Sequence, residues 1–107
     1  MSYRMFIDDD RFPPGDENDW AICRNLFEVQ LVIDHEGMPS FISFDHDLGA
    51  NQPSGMDITK WLVESELDGK LSFPEDFDFY VHSQNPTGAG NIEGLLRQYL
   101  QQRKIAP

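Results

Sequence analysis

The chain has 107 residues, 39% of them hydrophobic and 12% aromatic. That is enough for a single domain, residues 1–107, to bury roughly two-thirds of its unfolded surface, and it excludes general disorder. Nineteen acids against eight bases give a net charge of -11. Long duplex nucleic acid and anionic membranes are excluded as partners on that account, because binding them relies on Lys and Arg; a cation, a small phosphate-bearing ligand or a basic protein partner suits the charge better.

Tyr3 to Ile7 reads as a buried strand stopped abruptly by Asp8-Asp9-Asp10. Pro13, Pro14 and Gly15 make residues 8–18 a loop, and Trp20 to Arg24 suits a short strand, plausible at an edge. Asn25, with Glu28 three residues on, opens a helix reaching Glu36, with Phe27 and Leu31 turned inward; Gly37 ends it and Pro39 blocks resumption. A strand from Phe41 to Asp45 follows, then a loop, then a helix capped by Ser54 with Asp57. Ile58, Trp61, Leu62 and Leu67 form its apolar stripe and Gly69 its stop. The last strand runs from Phe77 to His82. The loop Asn85-Pro86-Thr87-Gly88-Ala89-Gly90 then feeds a helix containing Asn91, Ile92, Leu95, Leu96, Tyr99 and Leu100. This succession predicts a three-layer α/β domain, a mostly parallel sheet of about four strands with about three helices. Cys23 is the lone cysteine and no segment has the length or apolarity of a membrane span, so a cytoplasmic location is expected.

The strand ends carry the chemistry. Met5-Phe6-Ile7 stops at Asp8-Asp9-Asp10, Phe41-Ile42-Ser43-Phe44 at Asp45-His46-Asp47, and Phe79-Tyr80-Val81 at His82-Ser83-Gln84-Asn85. Parallel strands bring their carboxyl ends to one edge, where open α/β sheets bind ligands, so the three segments point to one polar site. Two carboxylates about 4 Å apart repel by about 4 kcal/mol at an effective dielectric near 20. Asp8, Asp9 and Asp45 crowded at adjacent strand ends therefore call for a cation, and Mg²⁺, which accepts a few carboxylates together with phosphate oxygens, is the expected cofactor. Arg11 is the one base nearby in sequence. His46 and His82 suit general base and general acid, with Asp45 and Asp47 beside them. Ser83, Asn85, Gly88, Gly90 and Asn91 suit a phosphate cradle leading into a helix N-terminus, and Arg11 a further phosphate contact. Asp45-x-Asp47-x-Gly49 is not a calcium loop, since Ala50 and Met56 replace its required glycine and glutamate.

Phe6-Ile7-Asp8-Asp9, then Ile42 through Gly49, then His82-Ser83-Gln84-Asn85-Pro86 with Gly90-Asn91-Ile92, together resemble the divergent receiver-like domains called cyclic-phosphate-processing receiver domains. The blocks match in order and span nearly the whole chain. The resemblance implies a response-regulator-like, flavodoxin-like fold and a role with cyclic phosphate ends of RNA or related nucleotides. In ordinary receivers an acid pair holds Mg²⁺ beside a phospho-accepting aspartate; Asp8 and Asp9 would match the pair and Asp45 the acceptor. Asn85-Pro86 stand where receivers have a lysine, and His46 and His82 are additions. The expectation is a phosphoesterase or phosphate-ligand domain, the alternatives being a phospho-acceptor or sensor and a non-catalytic interaction module.

Overall fold

The computed structural model describes residues 2–105. Strands β1 (Arg4–Ile7), β2 (Trp20–Cys23), β3 (Phe41–Phe44) and β4 (Asp78–Val81) form one all-parallel sheet in the order β2-β1-β3-β4. Helix α1 (Leu26–Glu36) follows β2, α2 (Gly55–Leu67) follows β3, and α3 (Pro86–Ile105) follows β4. The expected α/β class, with four strands and three helices, is the one observed. Among the described residues no helix is long and apolar enough to cross a membrane.

Because side chains alternate along a strand, each strand divides into two sets. One set, Met5, Ile7, Cys23, Ile42, Phe44 and Phe79, forms a single buried cluster with Val29 and Ile33 of α1, Ile58 and Leu62 of α2, and Ile92 and Leu96 of α3. All three helices therefore serve one face. Chain direction explains this: β2 to β3 and β3 to β4 step the same way across the sheet, so right-handed crossovers put α1 and α2 on the same side. The step from β1 to β2 runs the other way. Its connection, residues 8–19, crosses the opposite face as a loop whose only regular piece is a 3₁₀ turn at Glu17–Asp19. Arg24, in register with that face, lays its guanidinium 4.9 Å from the centre of the Phe12 ring of this loop. The expected third layer is thus a loop rather than a helix.

Local signals hold in part. Ser54 and Asp57 form a reciprocal capping box on α2. Asn25 caps α1 by accepting from the Glu28 N–H, but the Glu28 carboxylate accepts from the Arg24 N–H rather than returning to Asn25. Phe27, Leu31 and Leu67, expected inward, are exposed. Glu66 of α2 accepts from Arg103 Nε (2.7 Å) and from the Tyr99 hydroxyl, which ties α2 to α3.

Candidate active site

The strand register delivers three acid or imidazole groups to one level. Ile7 pairs with Phe44 and Phe44 with Val81, and the ladder continues one step beyond. Asp45 N–H donates to the Ile7 carbonyl and His82 N–H to the Phe44 carbonyl, both at 2.9 Å. Asp8, Asp45 and His82 also share the alternation of Phe6, Ser43 and Tyr80, so they stand at the carboxyl edge on the face without helices. One ligand atom from each of the three lies within 4.8 Å of the others.

Asp8 is fully buried, and its carboxylate is fully used. Oδ1 accepts from the backbone N–H groups of Asp10 (3.0 Å) and Arg11 (2.9 Å). Oδ2 accepts from Arg11 Nε (2.8 Å) and His82 Nε2 (3.0 Å). Burial alone would raise the pKa of this carboxyl, but those hydrogen bonds and the Arg11 charge outweigh it and bring the pKa down to about 2. Arg11 also reaches Asp45, which is 6% exposed, with 3.5 Å between Nη2 and Oδ2. The guanidinium thus bridges the two acids whose repulsion the sequence posed. Arg24 fixes the turn from outside, donating to the carbonyls of Asp8 (3.0 Å) and Arg11 (2.6 Å).

Both nitrogens of His82 are engaged. Its ring stacks on Phe6 with centroids 4.6 Å apart, and Nδ1 lies 2.7 Å from the hydroxyl of buried Ser43. Nε2 donates to the Asp8 carboxylate, and Nδ1 shares its hydrogen bond with Ser43. His46 differs. Its Nδ1 meets Asp47 Oδ1 at 2.8 Å, and Nε2 makes no hydrogen bond among the described residues. The His46 hydrogen bond, helped by one from Asn85 Nδ2 (3.4 Å), holds the Asp47 carboxyl below its ordinary value. The His46 ring lies against α3: a Cβ on Gly88 would fall 2.4 Å from it. His46 is positioned from below as well, since its carbonyl accepts from Gly55 N–H (2.7 Å) at the start of α2.

Eight of the residues singled out in the sequence therefore fall into two groups. Asp8, Arg11, Asp45 and His82 form one; His46, Asp47, Asn85 and Gly88 form the other. No hydrogen bond or ion pair joins the groups among the described residues. Asp9 is exposed beside Gly49. Ser83 accepts from Asn85 N–H (3.1 Å). The stretch Pro86 to Gly90, expected as a loop, lies within α3. Pro86 opens that helix, its missing N–H harmless in the first turn, and Asn85 caps it by accepting from Gly88 N–H (2.9 Å). Gly90 and Asn91 are exposed on its first turns. Ser43, Phe6 and Arg24 were not anticipated. The signal for Ser43 was its place two residues before Asp45, on the same side of the strand.

Of the residues expected to hold Mg²⁺, Asp8 is already engaged by protein donors in this arrangement. An ionised carboxylate has about four lone-pair directions, and those of Asp8 are all taken by donors. His82 presents N–H rather than a lone pair towards Asp8. A divalent ion on Asp8 and Asp45 would have to displace Arg11, which already supplies positive charge there.

The all-parallel sheet with acids at its strand ends agrees with a receiver-like α/β fold. The chain matches the family model described as the cyclic-phosphate processing receiver domain over residues 3–98, and it belongs to that family. No curated protein and no solved structure matches it.

Proposed function

We propose that this domain hydrolyses a cyclic phosphodiester on a nucleotide or RNA end, and that it does so without a metal. The observation that carries the reading is the His46–Asp47 pair: a carboxylate orients Nδ1 and leaves Nε2 without a partner, as a general base requires. In the reaction, water attacks phosphorus, Nε2 of His46 takes its proton, the bond from phosphorus to one ribose oxygen breaks, and that oxygen takes a proton from solvent. Arg11, 43% exposed, turns the outer edge of its guanidinium to the ester and offsets its charge. His82 is a positioning residue in this scheme, since it holds Asp8 and through it Arg11. Asn85 orients Asp47 and caps α3, whose N-terminus favours an anion. The family name supports the substrate class.

Asp45, the acceptor in the sensor alternative, is less well served, being buried beneath Arg11. Hydrolysis of adenosine 2′,3′-cyclic phosphate in excess EDTA is the test. Full activity is expected with EDTA, a loss of about 10²–10⁴-fold in His46→Ala, and a partial loss in His82→Gln. Activity that needs Mg²⁺ would return Asp8 and Asp45 to a metal. Undiminished activity in His46→Ala would remove the general-base assignment.

A further inference from the structure

The face of the sheet that carries no helix is rich in rings. Trp20 and Phe41 are half-buried there, with centroids 6.0 Å apart, and Tyr80 is 62% exposed. Phe12, also 62% exposed, comes to the same face from the loop. Two arginines lie on these rings: Arg4 is 4.3 Å from the centre of a Trp20 ring, and Arg24 covers Phe12. Neither pairs with a carboxylate among the described residues, in a chain of net charge -11. Rings thus collect along one surface, and its β4 edge, at Tyr80, leads to the strand-end site. Tyr80 precedes His82 by two residues on the same side of β4, a step of about 6.6 Å along the strand. That step is comparable to the separation of a nucleotide's base from its phosphate.

We propose that this face binds the nucleobase of the substrate, with Tyr80 as its stacking platform, two residues along β4 from the strand-end site where Arg11 offsets the charge of the adjoining phosphate. Every base has a flat face that aromatic and guanidinium groups can stack on, so the platform selects a nucleoside without reading its sequence. A second copy of this acidic chain would be repelled, and a long RNA would meet the acids around the face. The occupant is one nucleoside carrying its own cyclic phosphate. The inference rests on the phosphodiesterase reading for the position of the phosphate.

Calorimetric titration with three probes separates the two claims: adenosine 2′,3′-cyclic phosphate, glycerol 1,2-cyclic phosphate and adenosine. The adenosine ester is expected to bind about tenfold more tightly than the glycerol ester. Tyr80→Ala should erase that difference and Tyr80→Phe should keep it. Equal affinity for the two esters would overturn the platform and leave the phosphate site standing. Binding of adenosine alone would support the platform and overturn the phosphate site. Binding of none of the three would overturn both.

Discussion

The two faces of this sheet are built by the same strands from alternate residues, and they do opposite work. Met5, Ile7, Ile42 and Phe44 are wholly excluded from solvent under three helices. Between them stand Phe6, Asp8, Ser43 and Asp45, facing a loop. Apolar contact, roughly proportional to area and indifferent to direction, holds the first set. Directed hydrogen bonds and a charge bridge hold the second. Stability is concentrated on one face and the Asp8–Asp45–His82 cluster on the other, so substitutions on the two faces should separate packing from the polar network.

The largest expected effect is on the helical face. Phe44→Ala removes a fully buried ring that packs edge-on to Phe79, and should destabilise by about 3–5 kcal/mol in urea denaturation. If it destabilises no more than an exposed substitution, the division of the faces is wrong. Gly55→Ala follows. Its Cβ would lie 2.1 Å from the Asp45 carbonyl oxygen, a backbone atom that cannot swing aside. A loss of about 1–3 kcal/mol is expected, with the strand end carrying Asp45 and His46 displaced.

Acid tests the polar face directly. The Asp8 carboxyl titrates at about 2 when folded, below its ordinary 3.8. Its contribution, about 2 kcal/mol, is therefore complete above the ordinary value and is lost as pH falls through the folded one. Denaturation midpoints should drop between about pH 4 and pH 2. Asp8→Asn should be less stable at neutral pH and show a shallower decline. A decline as steep as the parent's would assign the acid sensitivity to other carboxylates.

Much of this division was legible. Strand ends with acids and imidazoles announced the edge at which the site forms, and parallel pairing brought Asp8, Asp45 and His82 to one level as expected. The orientation of α1 was not legible, because apolar residues at 26, 27, 29, 31, 32 and 33 nearly encircle it. Packing against Cys23 and Met5 selected Val29 and Ile33 over Phe27 and Leu31. The glycines at 88 and 90 suggested a loop, whereas Pro86 and the Asn85 cap start the helix earlier. The bare face also escaped notice. The loop at 8–18 was read correctly, but that it stands where a helix would otherwise cover the sheet follows only from the strand order. Arg11 as the bridge between Asp8 and Asp45 depended on a turn that no spacing rule specifies.

Gly88→Ala sharpens the contrast between the two histidines. The new methyl would press on the His46 ring and turn it from Asp47, so turnover should fall about tenfold or more while stability changes by less than about 1 kcal/mol. His82, stacked on Phe6 and tied to Asp8 and Ser43, should keep its ring resonances unchanged in that variant. Movement of both rings would show that the two groups are one cooperative unit.

The smallest expected effect on stability decides most about the open face. Tyr80 is 62% exposed, and its neighbour across the ladder, Ser43, is bound to His82. Removing the ring therefore leaves no cavity and no orphaned donor, and Tyr80→Ala should stay within about 0.5 kcal/mol of the parent. A ring so exposed on a strand adds little to folding, so an accompanying loss of nucleoside affinity would mark it as held there for a ligand. A loss of several kcal/mol would mean that Tyr80 belongs to the core of the fold. The two faces would then no longer divide packing from the polar network.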